Sequence, residues 1–388
     1  MQTRITTPPW TTGNGPSAVA LEVLIHGPIS RSDIARRLDL SAGSLTRLST
    51  PLIDSGLLVE VGERTDGRAG RPSRLLDIIP ASRCFVGAKL TGDAVLGVVT
   101  DLRANVLASS SITLLSREPA SVARTIATLV AELAARVPQI TALGVGIGGL
   151  VADHGIVTRA PFLDWWSEVD LGAMLERETG LPTVIENDLT AFTEYENWFG
   201  AGRSADRFAV ITLGAGVGYG LVVGGEVVVS DDSGIGLVGH WPVDPFGAVC
   251  PSGHRGCAKS VLTESAIVNG VSAALNRSVD YDEALGLAAA GEPAARRVVD
   301  DAGRGLGRLL AAVENLTTPE LVIIGGEGVR LFDVAEAAVR EGLARDRDPR
   351  ASDIPIVTTT GDHTEWCRGA AVIAIQAYVL GRHPGDHH

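Results

Sequence analysis

The run TVIEND, residues 183–188, opens the stretch of sequence that decides the fold. Its apolar residues predict a buried strand, and the carboxylate of Asp188 follows directly at the strand end. A glycine-rich segment, ITLGAGVGYG, comes at residues 211–220, and a His/Cys cluster lies between Gly239 and Cys257. Glycines have no Cβ, so backbone N–H groups can approach an anion closely. This order of carboxylate, glycine loop and His/Cys cluster indicates a ligand site with a metal site beside it.

The size and composition of the chain limit the classes of protein to consider. It has 388 residues, 45% of them hydrophobic, which predicts large cores and two or three domains. No apolar run has the length of a membrane span, no signal peptide is predicted, and the four cysteines are too scattered for a disulfide framework. We therefore expect a cytoplasmic protein with no membrane partner. The net charge of −13 argues against nonspecific nucleic-acid binding by the whole chain.

Residues 16–79 have the pattern of a winged helix-turn-helix, preceded by a flexible tail at residues 1–15. Helices are predicted over residues 16–26 and 31–38, and a third helix begins after the N-cap Ser41. Pro51 is unfavourable inside a helix, so a separate turn is expected at residues 52–55. Two strands, 57–61 and 73–79, follow and flank a loop rich in Arg and Gly. A small helical bundle with no DNA role is the alternative for this region.

The third helix and the loop carry the side chains predicted to contact DNA. Thr46 and Arg47 lie opposite the apolar face of the helix, so they can enter a major groove. The segment Gly70-Arg71-Pro72 resembles an element that enters A·T-rich minor grooves, whose potential attracts Arg. A solvated hairpin tip would have a similar composition, so the loop alone is weak evidence. The predicted DNA-contacting residues are Ser41, Ser44, Thr46, Arg47, Arg68 and Arg71.

The rest of the chain repeats one pattern of strands, then a helix, then a strand with a glycine end. The first copy has strands at 85–89, 95–100 and 106–113, a helix at 119–136, and a strand at 142–147 before Gly148-Gly149. The second has strands at 208–213, 220–223, 226–229 and 354–358, and helices at 259–276, 282–289, 293–315 and 331–343, and the last helix of the chain covers 366–380. The expected lobes are residues 80–190 with 366–388, and residues 191–365.

These motifs together resemble the ROK family, which contains sugar kinases and sugar-responsive transcriptional repressors. The resemblance runs from about Pro16 to Val379. It implies an α/β fold of the actin-like, hexokinase type with two lobes, preceded by the winged helix-turn-helix. In the family, an Asn-Asp pair binds the sugar and the Asp deprotonates the attacking hydroxyl, which gives these roles to Asn187 and Asp188. The alternative for Asp188 is helix capping, which is compatible with ligand binding.

The first phosphate loop departs from the kinase pattern. In the family's kinases this loop reads Gly-x-Asp-x-Gly-Gly-Thr, whereas residues 87–93 here read GAKLTGD, with Lys89 at the Asp position. A cation there cannot hold Mg²⁺, so the resemblance implies a regulator that uses no ATP or Mg²⁺ and keeps Asp188 as a vestigial base. The segments 214–218 and 325–326 resemble the family's other glycine loops, with plain turns between strands as the alternative.

The His/Cys cluster resembles the family's structural zinc site, whose pattern is Gly-His followed by Cys-x-Cys-Gly-x-x-Gly-Cys. His240, Cys250 and Cys257 match three of its four ligands. Ser252 replaces the remaining Cys and is a poor zinc ligand, whereas the nearby His254 could complete a Cys₂His₂ set. The alternative is a metal-free loop with two buried thiols.

Two further departures affect the predicted effector site. Leu237 and Lys259 stand where the family has acidic residues that bind sugar hydroxyls. A cation at Lys259 would pair with an anionic group on a modified sugar, or with an internal partner such as Glu264. The predicted effector-binding residues are Gly149, Asn187, Asp188, His240 and Lys259.

The sequence thus favours a ROK-type transcriptional repressor. We expect it to bind a palindromic double-stranded operator as a homodimer or a dimer of dimers, under the control of a sugar or an anionic sugar derivative. One alternative is an active, glucokinase-like sugar kinase with an accessory DNA-binding head. Another is a repressor that is regulated by a protein partner and has no small-molecule ligand.

Overall fold

The computed structural model describes residues 14–64 and 73–381, which form two compact units. The first unit contains the described residues up to Phe199 and those from Trp366 onward, and the second is Gly200–Glu365. The predicted contacts Arg68 and Arg71, with the whole Gly70-Arg71-Pro72 element, lie outside the described residues, as do residues 1–13 of the predicted tail and residues 382–388.

The N-terminal part of the first unit, called the head below, has the helix order and the hairpin strands expected of a winged helix-turn-helix. Ser30 and Ser41 act as N-caps, each accepting a hydrogen bond of 3.1 Å from the backbone N–H three residues later. The strands form an antiparallel sheet in the order β1-β3-β2. The elements are α1 (Asn14–His26), β1 (Ile29–Ser30), α2 (Arg31–Arg37), α3 (Ala42–Asp54), β2 (Leu58–Arg64) and β3 (Ser73–Ile78).

The separate turn expected after Pro51 is not formed, because α3 continues through the proline to Asp54. Pro51 is exposed, and its carbonyl accepts a hydrogen bond of 3.0 Å from Ser55 N. The proline lies in the last helical turn, so it removes only one of the final helical hydrogen bonds. Leu52, which is 2% exposed, buries its side chain in the core of the head, and this burial favours the continued helix.

The remainder of the first unit is built on a five-stranded mixed sheet in the order β11-β7-β4-β5-β6. Strands β4, β7 and β11 are parallel, so their carboxyl ends meet at one edge of the sheet. The elements are β4 (Cys84–Leu90), β5 (Ala94–Thr100), β6 (Val106–Thr113), α4 (Pro119–Ala134), β7 (Ile140–Ile147), β8 (Leu150–Ala152), β9 (Ile156–Arg159), β10 (Val169–Asp170), α5 (Leu171–Thr179), β11 (Thr183–Asn187) and α6 (Asp188–Trp198).

The second unit repeats this topology, with a sheet in the order β14-β13-β12-β15-β16 whose last three strands are parallel. The predicted helix 259–276 is two helices, because Thr263 is extended and caps the second one. The elements are β12 (Arg207–Leu213), β13 (Val217–Val223), β14 (Glu226–Val227), α7 (Ala258–Leu262), α8 (Glu264–Leu275), α9 (Tyr281–Ala289), α10 (Pro293–Thr317), β15 (Leu321–Gly325), α11 (Arg330–Val334), α12 (Glu336–Asp346) and β16 (Ile356–Thr358), followed by α13 (His363–Ile375).

The lobe boundary expected at residue 190 falls inside α6, and the chain changes unit only after Phe199. The reason is burial: Phe192 and Trp198 of α6 are 0% and 5% exposed, so the whole helix packs into the first unit. Within the described residues, no helix combines the length and the apolar character that crossing a membrane requires.

The head shares one apolar core with the rest of the first unit. Val23 and Leu52 of the head belong to the same buried cluster as Leu102, Trp198 and residues 371–375. A polar contact supports this joint, since Arg103 Nη2 pairs with Asp77 Oδ1 of β3 and reaches Val23 O at 3.5 Å. The head is therefore attached to the rest of the first unit through contacts with α6, α13 and the β5–β6 turn.

Candidate functional site

Lys89 and Asp188 form an ion pair where the parallel strands of the first unit end. Lys89 Nζ contacts Asp188 Oδ2, and the two side chains are only 9% and 16% exposed. The ammonium also lies 4.2 Å from the centroid of the Trp366 ring, a favourable cation–π position. Asp188 Oδ1 accepts a hydrogen bond of 2.8 Å from Leu189 N. The carboxylate predicted to be a vestigial base is thus already held by a cation of the chain itself.

The strand register explains why these two residues meet across 99 positions of sequence. Strands β4 and β11 flank β7, with Lys89 opposite Gly146 on one side and Glu186 opposite Gly146 on the other. A Cβ at Gly146 would lie 3.5 Å from the Asp188 Cβ. Because Gly146 has no side chain, the Lys89 ammonium can reach over β7 to the carboxylate.

Asn187 and Gly149, two of the predicted effector-binding residues, lie together beside this pair. Asn187 Nδ2 donates a hydrogen bond of 2.9 Å to Gly149 O, and its Oδ1 accepts from Leu189 N and Thr190 N at 3.0 and 3.2 Å. Asn187, not Asp188, is therefore the N-cap of α6. Its amide is engaged on both sides, and the residue is only 4% exposed.

Phe162 is a neighbour of the ion pair that the sequence analysis missed. A Cβ at Gly148 would lie 3.3 Å from Phe162 Cδ2 and 3.5 Å from Asp188 Oδ2, so the ring and the carboxylate flank the same glycine. The Phe162 residue is 53% exposed. Trp166 is 64% exposed, and the guanidinium of Arg159 lies 4.9 Å from the centroid of its ring. The aromatic run in APFLDWW, residues 160–166, was the available sequence signal.

The two other predicted effector-binding residues, His240 and Lys259, belong to the second unit. Lys259 is exposed, and no ion pair joins it to Glu264 within the described residues. Exposure to solvent removes the need for a partner. Burial raises the pKa of Glu264, with a further increase from the neighbouring carboxylates of Glu327 and Asp282.

The His/Cys cluster has the donor atoms of a zinc site. His240, Cys250 and Cys257 each contribute one potential ligand atom, and these three atoms lie within 4.8 Å of one another. Cys250 Sγ is 3.8 Å from His240 Nδ1 and 3.6 Å from His254 Nδ1, whereas Ser252 is exposed. Two thiols and one imidazole therefore supply three zinc donors in one place, and His254, whose Nδ1 contacts Cys250 Sγ, is the nearby candidate for the fourth.

The electrostatics of Cys250 also suit a metal ligand. Burial acts to raise the pKa of its thiol, but hydrogen bonds with the side chain and backbone of His254 and the backbone of Ser252 lower that pKa to about 6. The thiolate, which is the form that binds a metal, is therefore favoured at neutral pH.

The glycine segment 214–218 comprises the turn between β12 and β13, residues 214–216, and the first two residues of β13, with Gly214 N donating to Gly216 O at 3.1 Å. A Cβ at Gly214 would lie 2.6 Å from Glu327 Oε2, so that carboxylate lies directly over the turn. His363 Nδ1 is 3.1 Å from Glu327 Oε1. The segment that resembles a phosphate loop therefore has an anion against it. Glu327 is a second residue that the sequence analysis did not identify.

The described DNA-contact candidates lie on or at the start of α3. Leu45 is 1% exposed and packs inward, while Thr46 and Arg47 are exposed on the other face. Ser41 and Ser44 form the N-terminal cap, with their hydroxyls 2.9 Å apart. These four residues thus share one solvent-facing end of the helix.

Comparison with known proteins assigns this architecture to a family. The sequence model of the ROK family matches residues 85–377. The DNA-binding transcriptional repressor Mlc of Escherichia coli (strain K12) is 24% identical over 367 residues, which is 91% of this chain and 90% of the repressor.

Two solved structures define the range of the likeness. One is a ROK family transcriptional regulator described as a homolog of the E. coli MLC protein, with a TM-score of 0.79 and 26% identity over 95% of this chain and 98% of that one. The other is a ROK family glucokinase from Streptomyces griseus in complex with glucose and AMPPNP, with a TM-score of 0.65 and 25% identity over 76% of this chain and 99% of the kinase. The predicted actin-like α/β fold is thereby confirmed.

Proposed function

We propose, from the premise that this chain belongs to the ROK family, that it is a DNA-binding transcriptional repressor controlled by a sugar. The observation that carries the proposal is the extent of the likeness. A repressor relative matches 91% of this chain and a solved ROK regulator matches 95%, whereas the glucokinase structure matches 76%. The head further supports the proposal, because α3 has the exposed polar end that a helix needs to contact the major groove of DNA.

The DNA contact is proposed to run through α3 and the segment between β2 and β3. Arg47 is exposed beside Thr46, so its guanidinium is free to reach base edges in a major groove. Arg68 and Arg71 are proposed to contact the adjacent minor groove. A symmetric homodimer or dimer of dimers would present two heads to a palindromic operator. Such a regulator would work in the cytoplasm.

Fluorescence anisotropy with a labelled operator tests this proposal. Arg47→Ala should weaken binding by about 1–3 kcal/mol and relax the preference for one base pair. Arg350→Ala, which removes an exposed guanidinium in the second unit, is the matched control and should bind like the parent. Equal operator affinity for the parent and Arg47→Ala would contradict the assignment of α3.

The absence of kinase activity is part of the proposal, and two contacts support it. A general base must be free to accept a proton, but Asp188 is held by Lys89. Nucleotide phosphates would meet the Glu327 carboxylate at Gly214, where like charges repel. These residues do not fit Mg²⁺–ATP, so no phosphoryl-transfer step is assigned to them.

An active sugar kinase is the second candidate, favoured by the structural likeness to the glucokinase and by the retained Asp188. A coupled-enzyme assay with ATP, Mg²⁺ and a panel of hexoses separates the two functions. We expect no sugar-dependent turnover. Turnover that disappears in Asp188→Ala would establish the kinase.

Zinc is proposed as a structural ion held by His240, Cys250, Cys257 and His254. When bound, a zinc ion of this kind supplies folding stability and no catalysis. The site ties the segment 240–257 to the start of α7, which begins directly after Cys257. A thermal-shift screen against sugars separates a sugar-controlled repressor from one that is regulated by a protein partner. For the latter, no sugar would raise the melting temperature.

A further inference from the structure

We infer that the sugar bound by the first unit is neutral and that its ring stacks on Phe162. The inference rests on the proposed sugar response, and it names the charge class of the ligand and one contact residue. It also replaces the expectation that a cation at Lys259 selects an anionic sugar.

The charge balance beside Asp188 favours a neutral ligand. The chain has only two lysines, and the exposed one, Lys259, belongs to the second unit. The other, Lys89, is buried, and its charge is already matched by Asp188 at contact distance. An added carboxylate or phosphate would gain little from this matched cation and would be repelled by the Asp188 carboxylate. An anionic ligand is therefore disfavoured at this edge of the sheet.

A neutral polyol suits the same ion pair. An ionised carboxylate offers about four lone-pair sites, and Asp188 uses two of them, for Lys89 and for Leu189 N. An ammonium has three donors, of which Asp188 takes one. Sugar hydroxyls both donate and accept, so they can complete both groups without breaking the ion pair. Asn187 cannot contribute as freely, because its amide is engaged with Gly149 O and with the N-terminus of α6.

Phe162 supplies the apolar surface that one face of a sugar ring needs. The three atoms nearest to a Cβ built at Gly148 belong to the Phe162 ring and the Asp188 carboxylate, and about half of the Phe162 residue is exposed. Aromatic faces carry negative quadrupole density and attract the C–H groups of a sugar ring. Trp166 is the other exposed aromatic of this loop, but the Arg159 guanidinium already stacks on its ring. Phe162 is therefore the aromatic left for a ligand.

Titration calorimetry on the full chain tests the inference with named probes. These are glucose, mannose, xylose and N-acetylglucosamine as neutral sugars, and glucose 6-phosphate and glucuronic acid as anionic ones. We expect at least one neutral sugar to bind, and the anionic derivatives to bind more weakly than glucose. Phe162→Ala should weaken the neutral sugar by about tenfold, as expected for loss of an aromatic stack and its buried area.

Three variants make the result specific. Phe162→Tyr keeps the aromatic face and should bind like the parent, whereas Phe162→Leu keeps bulk without that face and should bind like Phe162→Ala. Phe246→Ala removes a Phe that is 91% exposed in the second unit and should have no effect. Tighter binding of an anionic sugar, unchanged affinity in Phe162→Ala and Phe162→Leu, or no binding of any neutral probe would each overturn the inference. Operator binding by the same preparations tests the DNA-binding proposal separately, so the two failures can be told apart.

Discussion

The ion pair between Lys89 and Asp188 gives a quantitative prediction for a double-mutant cycle. Lys89→Met removes the cation but keeps the length of the side chain, and it leaves Asp188 charged and 16% exposed with one backbone hydrogen bond. Breaking a buried pair in this way costs about 3–5 kcal/mol, and the remaining hydrogen bond favours the lower end, about 3 kcal/mol. Asp188→Asn leaves Lys89 on the Trp366 ring face, so a smaller loss of about 2 kcal/mol is expected.

The double variant should lose much less than the sum of these effects. With both charges gone, the site contains a neutral amide and an apolar side chain, and such replacements are often nearly neutral, so we expect a loss of about 1–2 kcal/mol. The coupling free energy is then about 3–4 kcal/mol, at or slightly above the upper end of the usual range for groups in direct contact.

Urea unfolding followed by tryptophan fluorescence measures this coupling, because Trp366 is buried next to Lys89. The fits should allow two transitions, since the chain has two units. The exposed pair Arg350 and Asp348 provides the control cycle, in which no measurable coupling is expected. Additive effects of Lys89→Met and Asp188→Asn would refute the ion pair and the reasoning on the inactive base.

Three other sites carry predictions. The folded-state pKa of Cys250 is depressed to about 6, so its thiolate is present above that pH, and zinc uptake should fall as the pH drops through 6. Metal analysis across this pH range measures the zinc content, and the Cys250→Ser variant, which should bind little zinc, is the control. A zinc content that stays constant across the range would contradict the zinc assignment. Arg103→Ala breaks the contact with Asp77, so hydrogen exchange in β3 should become several-fold faster, and unchanged exchange would disprove the joint. Glu327→Gly should raise the affinity for a fluorescent ATP analogue, whereas equal affinity would show that the carboxylate does not exclude phosphate.

Local patterns were sufficient to predict most of the fold. Alternating and apolar runs indicated most strands of the two five-stranded sheets, and the capping hydroxyls of Ser30 and Ser41 marked the starts of α2 and α3 as the structure has them. The helix end predicted at Pro51 was wrong because the effect of a proline depends on tertiary packing. Here the burial of Leu52 outweighs the one hydrogen bond lost in the last helical turn.

The contacts of the candidate site could not be predicted in the same way. Lys89 was recognised as a departure from the kinase pattern, but its partner lies 99 residues away and is reached only through the register of three strands. Phe162 and Glu327 belong to loops with no periodic signal, and their importance comes from the glycines beside them. The exposure of Lys259 likewise follows from its position in the fold, which its charge alone could not show.

Selection of bound sequences from a random double-stranded DNA pool is the measurement that tests the central claim most directly. The full chain should enrich one palindromic motif, because a symmetric oligomer presents two equivalent α3 helices. Arg47→Ala should lose the preference at a symmetric pair of positions in that motif, while Arg350→Ala should enrich the parent's motif unchanged. Failure of the parent chain to enrich any motif, or an identical motif from Arg47→Ala, would contradict the account of this protein as a DNA-binding repressor that reads its operator through α3.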